Sequence, residues 1–390
     1  GVLFSGQVYH AVIEKFCPGP ALNCNIQKQL NNDQFPTIIE WARTGISGAV
    51  CIGCSINNSE NVISMSTSDS ATITLTAALR TIASISVKDV LRNYPAGTFA
   101  GFNIRNLKLV GLDVLSGITI STYKDSVFQE NSTVGGTLLS LNSSLLNGTG
   151  EQLVGFVTTM SFDEIKFEIT NLLGVANVTQ VFSAVVDSFC VGPVLPCNEP
   201  VALTVPEYPV YVNGAQTGIY GGVCVGCSIN NTNNLLDSDT SNYASIVLLL
   251  NSGISGSISV KDALTDYSAG HFAGFDILNT NFLSASLLDA IKIKTYLNGV
   301  PRESKTGLTQ LLSVNSSLLT NDGRRTVGFI TSLSFDEVTI ELDADILGLA
   351  LGTTRVYGGI FEGFCNVDLE CTKTYWLKSP EFPVTIPGQH

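Results

Sequence analysis

Apolar and polar residues alternate strictly along Thr72-Ile73-Thr74-Leu75-Thr76, Ile118-Thr119-Ile120-Ser121, Ile165-Lys166-Phe167-Glu168-Ile169 and Ile291-Lys292-Ile293-Lys294. A period of two puts one set of side chains on a buried face and the other in water, so each run predicts a strand of a half-wet sheet. The dipeptides Asn147-Gly148, Asn213-Gly214, Asn298-Gly299 and Asp322-Gly323 punctuate the chain, and Gly accepts the positive φ that tight hairpin turns need. The leucine-rich runs Leu107 to Leu115 and Phe282 to Leu288 fit either core-filling turns or short helical pieces. No long amphipathic helical period is present. About eight strands in roughly 140 residues predict an all-β unit, a β-sandwich of jelly-roll type.

The pattern occurs twice. Cys51, Cys54, Ser86 to Asp89, Phe99 to Phe102, Asn142 to Leu146 and Ser161 to Glu164 return at Cys224, Cys227, Ser259 to Asp262, Phe272 to Phe275, Asn315 to Leu319 and Ser334 to Glu337. The offset is 173 residues throughout, as from Cys51 to Cys224, so the chain is a tandem array of one large unit. Gly6 to Cys17 also matches Thr179 to Cys190 and Thr354 to Cys365. The expected organisation is the last strand of a preceding repeat over 1–17, a connector over 18–49 and a sandwich over 50–190. A connector over 191–222, a sandwich over 223–365 and the next connector over 366–390 follow. A segment of a longer filament would begin and stop in this way.

The connectors carry Pro18, Pro20 and Pro36, then Pro193, Pro196, Pro200, Pro206 and Pro209, and proline keeps a chain extended as a semi-rigid spacer. Phe35-Pro36, Tyr208-Pro209 and Phe382-Pro383 recur at one place, which predicts an aromatic that docks each connector onto its neighbour. The expected arrangement is end to end, with connectors at opposite poles of each sandwich, little other contact between units and an axial step of about 50 Å per repeat.

Ten cysteines follow the same order. Cys17 and Cys24, Cys190 and Cys197, and Cys365 and Cys371 each follow a Phe at the end of a unit, while Cys51 and Cys54, then Cys224 and Cys227, open the next. Two chemistries compete: a four-thiolate zinc site clamping connector to domain, and disulfides formed in an oxidising compartment. The second is favoured, with each pair named above closing a small local loop.

Charged residues are 14% of the chain and its net charge is -13, with no basic cluster, which excludes nucleic acid as a partner. Apolar runs such as Ile246 to Leu250 are too short for a membrane helix. No cofactor or metal is expected. His10 aligns with Ser183 and Gly358, and His271 with Thr98, so no histidine belongs to the repeated pattern, and no Gly-x-Ser-x-Gly elbow or His-Glu-x-x-His occurs. The reading is therefore not an enzyme. Asp163-Glu164 and Asp336-Glu337 are expected at capped or solvated strand ends, because adjacent strand residues point to opposite faces. Lys88-Asp89 and Lys261-Asp262 are expected as surface turn charges. Sequons begin at Asn57, Asn131, Asn142, Asn147, Asn177, Asn230 and Asn315, and would carry glycans in a eukaryotic secreted protein.

The string Cys-x-Gly-Cys-Ser-Ile-Asn-Asn at Cys51 to Asn58 and Cys224 to Asn231, and Ala-Gly-x-Phe-Ala-Gly-Phe at Ala96 to Phe102 and Ala269 to Phe275, resemble repeats of a known family. With the closing Phe-Cys, they are similar to those of the giant gliding-motility surface adhesins of Bacteroidetes, exported by the type 9 secretion system. The resemblance covers nearly the whole chain. It implies an extracellular filament attached at the outer membrane, carrying cell-substratum adhesion during gliding. Its implied partners are neighbouring repeats of the same chain, a surface polysaccharide or substratum, and motility and secretion machinery met through other regions. It also implies O-glycosylation at Ser70 and Ser126, each an Asp-Ser followed by an apolar residue. The unit is distantly similar to discoidin-like sandwiches, which often bind sugars or calcium. Asp237 and Asp239 stand where a calcium loop would be, but the first unit has Ser64 and Ser66 there, against a shared metal.

Two functions remain open. In one the units are spacers of an adhesin filament; in the other each is a lectin-like glycan-binding module acting through avidity. Trp41 and Trp376 both lie in connectors rather than at loop tips, which favours the spacer.

Overall fold

The alternation is realised as sheet. Ala71, Ile73 and Leu75 are buried with the threonines between them partly exposed, and Ile165, Phe167 and Ile169 are buried around Lys166 and Glu168. The computed structural model of the protein describes residues 15–365 other than 49, 77, 80, 107–116, 134–138, 142–150, 172–176, 222, 223, 225, 249–252, 280–288, 308, 315–323 and 344–351. Both leucine-rich runs, Asn147-Gly148 and Asp322-Gly323 lie outside the described residues.

In the first unit the chain forms β1 (Lys28–Gln29), β2 (Thr37–Ile39), β3 (Gly45–Ser47), β4 (Val50–Cys51), β5 (Ser55–Asn57), β6 (Ala71–Leu75), β7 (Ala78–Leu79) and β8 (Thr81–Asp89). It continues as β9 (Thr98–Arg105), β10 (Ile118–Lys124), β11 (Val127–Thr133), β12 (Leu139–Leu141), β13 (Glu151–Val157), β14 (Glu164–Asn171) and β15 (Asn177–Ser188). One sheet has the order β12-β13-β9-β15-β6-β5 with β1 added to β15. The other has the order β11-β10-β14-β8-β2 with β3 added to β8. Successive strands cross between the two antiparallel sheets, giving a β-sandwich of jelly-roll type.

The second unit repeats this with β16 (Pro200–Ala202), β17 (Val210–Val212), β18 (Gly218–Gly221), β19 (Ser228–Asn230), β20 (Ala244–Leu248) and β21 (Ile254–Asp262). Then come β22 (Phe272–Asn279), β23 (Ile291–Leu297), β24 (Val300–Thr306), β25 (Leu312–Val314), β26 (Arg325–Ile330), β27 (Glu337–Asp343) and β28 (Gly352–Glu362). Its sheets are β19-β20-β28-β22-β26-β25 with β16 on β28, and β17-β21-β27-β23-β24 with β18 on β21.

The repeated motifs acquire physical roles here. In Phe99-Ala100-Gly101-Phe102, Phe102 faces inward and meets Phe167 edge to face across the sheets, ring centroids 5.8 Å apart. Phe99 lies on the outer face instead, flat over Gly101 and Gly155, where an added Cβ would meet its ring at 2.8 and 2.5 Å. Asn58 and Asn231, at the end of the Ser-Ile-Asn-Asn string, take the left-handed conformation that starts the 3-10 turns Ser59–Ile63 and Thr232–Leu235. Asn tolerates that region because its short side chain can bond locally. Asn298 (φ 52) and Gly299 (φ 76) make the hairpin turn between β23 and β24. Asp125 (φ 50) and Ser126 (φ 67) make the same turn in the first unit.

Two expectations about the connectors are corrected. Residues beyond Cys24 and Cys197 are strands of the sandwich rather than spacers: Leu30, Phe35 and Ile39 are in the first core, Leu203, Tyr208 and Val210 in the second. Phe35 and Tyr208 thus dock into their own unit. The reason is apolar area, since burying each such side chain is worth about 1.5 to 3 kcal/mol, more than an extended spacer could recover. The connectors also do not lie at opposite poles. Incoming Cys24 bridges outgoing Ser188, and Cys197 bridges Gly363, so each unit receives and releases the chain at one pole.

It follows that residues 24–190 fold alone with cooperative melting. Residues 50–200 are expected to yield an aggregated or molten product, because they lack β1 to β3 and three buried core side chains. Circular dichroism melts of the two fragments compare these outcomes directly.

Candidate functional site at the clamped junction

The pole where chain enters and leaves is built from a single recurring device. Asn25 takes φ 57 and Asn198 φ 58. The Asn25 N–H donates to Ser188 O at 2.9 Å, and the Cys190 N–H donates back to Asn25 Oδ1 at 2.8 Å. In the second unit the Asn198 N–H donates to Gly363 O at 2.7 Å and the Cys365 N–H to Asn198 Oδ1 at 3.1 Å. These bonds set the preceding cysteines against β15 and β28. Cys24 and Cys190 form a disulfide with Cα atoms 5.3 Å apart, and Cys197 and Cys365 form one at 5.4 Å.

The local pairings Cys17-Cys24, Cys190-Cys197 and Cys365-Cys371 are therefore corrected. The residues between the first two pairs lie along a unit, Gly19 and Pro20 accepting from the Arg92 guanidinium and Leu195 packing on the second core, whereas β15 brings Cys190 back beside Cys24 after 166 residues. Cys17 is an exposed free thiol, and Cys371, expected to pair with Cys365, lies outside the described residues. Cys51–Cys54 and Cys224–Cys227 are disulfides, with Cα atoms 5.7 and 5.6 Å apart. They sit at the far pole, where Thr76 Oγ1 donates to Ile52 O. In the chain-entropy account a loop of this length stabilises by about 5 kcal/mol, against about 2 kcal/mol or less for a three-residue one.

The second unit docks on the first beside this clamp. Phe99, Leu153, Val185 and Phe189 form an apolar platform on the outer face of the first unit's larger sheet, and Tyr211 of β17 and Ala263 pack onto it. Tyr211 is 2% exposed and stacks on Phe189 at 6.3 Å with 15° between the rings. Asn25 Nδ2 donates across the junction to Pro206 O at 2.8 Å. The expectation of little contact between units is corrected: Phe99 can lie flat because Gly101 and Gly155 leave it room, and that flat surface receives a ring. The linker is held too. Gly192 lies on the Tyr208 ring, where a Cβ would come within 2.4 Å.

Asp187 lies on the same strand face as Val185 and Phe189, opposite Phe99, and is 3% exposed. Burial pushes its carboxyl up from 3.8 to about 7, and Oδ1 has no hydrogen-bond partner. Burial also raises the Tyr211 hydroxyl well above its ordinary value, with Glu337, Asp336 and Asp262 adding to the effect.

The repeated acids are structural: Asp89 and Asp262 are buried, which corrects the surface turn charge expected there, while Lys88 and Lys261 stay partly exposed. Asp89 Oδ1 accepts from the N–H groups of Leu91 and Arg92, and Oδ2 accepts from the Tyr94 hydroxyl at 2.9 Å. Lys88 pairs with Asp163 at 3.5 Å and Lys261 with Asp336 at 2.9 Å. Asp163 Oδ2 accepts the Asp125 N–H and Asp336 Oδ2 the Asn298 N–H, capping the two hairpin turns. Glu164 and Glu337 are fully buried, correcting the solvated strand end. Glu164 accepts from Arg43 and from Ser86; Glu337 accepts from Ser259 and from Asn213 at 2.9 Å, and burial raises its carboxyl. A charged side chain enters a sheet when donors are already there to meet it.

Other sequence candidates are scattered. Ser70 is half-buried and its Oγ accepts from Gln180 Nε2 at 3.3 Å, while Ser126 is exposed at its turn. Asp237 and Asp239 are used within their own loop: Asp237 accepts from the Asp239 N–H and Asn242, and Asp239 accepts from Ser241, which lowers its carboxyl. Among the described residues no group of three or more His, Cys, Asp or Glu could hold a metal. Trp41 is 60% exposed, and Trp376 lies outside the described residues.

No family model matches the chain, and no curated protein does. Among solved structures, allantoicase from Saccharomyces cerevisiae is 11% identical over 86% of this chain and 95% of its own, with a TM-score of 0.29. The CBM32-1 and CBM32-2 domains of Clostridium perfringens ZmpB, in complex with GalNAc, are 8% identical over 85% and 92%, with a TM-score of 0.26. The CBM22 tandem of Paenibacillus barcinonensis Xyn10C is 8% identical over 88% and 99%, with a TM-score of 0.22. The sheet pairing, not these likenesses, establishes the fold.

Two outcomes follow from the junction. A carboxyl raised in the folded state disfavours folding once it must ionise, so the contribution of Asp187 to stability is fully present below about pH 4 and is lost as pH rises towards 7. Asp187→Asn should flatten that slope and gain up to roughly 4 kcal/mol at pH 8, read as chemical denaturation at several pH values. Tyr211→Ala should cost about 2 kcal/mol of coupling and separate one melting transition into two, seen by calorimetry.

Proposed function

We propose that this chain is a non-catalytic structural segment of an extracellular tandem-repeat filament. The observation that carries the reading is the pair of clamps: each sandwich is closed on itself by Cys24–Cys190 or Cys197–Cys365, leaving a short linker as the only chain between units. Four disulfides among the described residues support an oxidising, extracellular setting. The docked Tyr211 supports a junction of defined geometry rather than loose beads. The finer reading, a filament carrying cell-substratum adhesion during gliding and exported by the type 9 system, rests on the resemblance of the repeated motifs.

A second reading, a glycan-binding module, is favoured by exposed aromatics in the first unit, Trp41 at 60% and Phe128 at 51%. Sugar faces stack on such rings. Gly214 and Pro301 occupy the equivalent places in the second unit, however, so repetition would not multiply such a site. The spacer is the better supported of the two.

With both chain ends of a unit at one pole, the axial step is set by the linker and not by the sandwich. From Cys190 to Cys197 is seven residues, at most about 25 Å when extended. Adding the clamp, 5.4 Å between its Cα atoms, gives an expected step of no more than about 30 Å per unit. Electron microscopy of chains with increasing numbers of units should show length growing by that amount, with the sandwiches set to the side. A particle whose length does not grow with added units would remove the spacer reading in favour of the glycan-binding one.

A further inference from the structure

We propose that the two long-range disulfides carry the tensile load of the chain, so that tension bypasses both sandwiches. The inference rests on reading the chain as a spacer, which implies that it is pulled from its ends. The covalent path runs along 17–24, crosses Cys24–Cys190, follows 191–196 and crosses Cys197–Cys365. Residues 25–189 and 198–364, enclosed by sequence separations of 166 and 168, lie outside that path.

The placement of the clamp matches the weakest point of the fold under load. Incoming and outgoing chain are neighbours at one pole, and β1 lies antiparallel to β15 with only Lys28↔Val186 and Gln29↔Val185 in register. Pulling two antiparallel neighbours apart from the same end loads their hydrogen bonds one after another, an unzipping geometry that resists little force. Beyond Gln29 the next elements to be drawn out would be β2 and β3, which take Leu30, Phe35 and Ile39 out of the core. A covalent link at Cys24 and Cys190 stands where the unzipping would begin, with Cα atoms 5.3 Å apart. No residue between them then feels the tension. The second unit repeats the arrangement, β16 lying antiparallel to β28 behind Cys197–Cys365.

Cys24 and Cys197 are exposed, so reductant reaches both clamps and should convert a chain of fixed length into an extensible one. Single-molecule force spectroscopy on the full chain, held by its two ends, tests this. The oxidised protein should stretch without large releases. Reductant added under load should produce two releases, each of roughly 550 to 600 Å, the extended length of 166 or 168 residues. Cys24→Ser should show one such release while still oxidised; if that variant does not fold, reduction of the wild-type protein in the trap supplies the same comparison. Releases of this size in the oxidised wild-type protein, or none after reduction, would overturn the proposal. Neither result bears on whether filament length grows with unit number, so failure here is distinct from failure of the spacer reading.

Discussion

Closure of each sandwich at one pole is the constraint on which the rest depends. A strand of twelve residues, β15, delivers Cys190 to the place where the chain entered at Cys24, and a left-handed Asn25 holds both ends in position. Because the linker leaves beside the sheet that it has just completed, the next unit meets the outer face of that sheet and not the tip of the sandwich. The platform for Tyr211 follows from this. So does the burial of Asp187, which shares a face with Phe189, while Glu362 at the same position of the second unit stays half-buried.

The two Phe residues of the repeated Phe-Ala-Gly-Phe run show how one motif serves both levels of organisation. Phe102 fills the space between the sheets, and Phe99, three residues earlier, turns outward over glycines. Inside a unit the motif is a core element; between units it is a surface prepared for a ring. Small residues beneath an outward aromatic are a cost to an isolated domain, since they leave apolar area in water, and they are offset only where a neighbour covers it. Tandem repetition supplies that neighbour.

Much of the sandwich was legible in the chain because a half-buried strand writes its burial into every second residue, as at Ile73, Ile120, Phe167 and Ile293. The Asn298-Gly299 turn was equally plain, whereas Asp125-Ser126, which makes the same turn, carries no glycine to announce it. Its signal lies further off, in Asp163, which caps the turn from just before β14. Proline in the connectors points to spacer chemistry, whereas Leu30, Phe35 and Ile39 between and beyond the prolines have nowhere to go but a core. The cysteine pairing was beyond reach of spacing alone: Cys17 and Cys24 are near in sequence, but closeness in space was set by the return of β15. Tyr211 left no mark because it is not repeated, Ile38 standing in its place. Glu164 and Glu337 look like surface charge because their donors, Arg43, Ser86, Asn213 and Ser259, come from segments distant in sequence.

The central claim is the connectivity of the clamps, and peptide mapping of the non-reduced protein by mass spectrometry tests it most directly. The expected result is cross-linked peptides joining Cys24 to Cys190 and Cys197 to Cys365, with Cys51–Cys54 and Cys224–Cys227 as internal loops. Peptides joining Cys17 to Cys24 or Cys190 to Cys197 would contradict the account, because each sandwich would then be open at its pole.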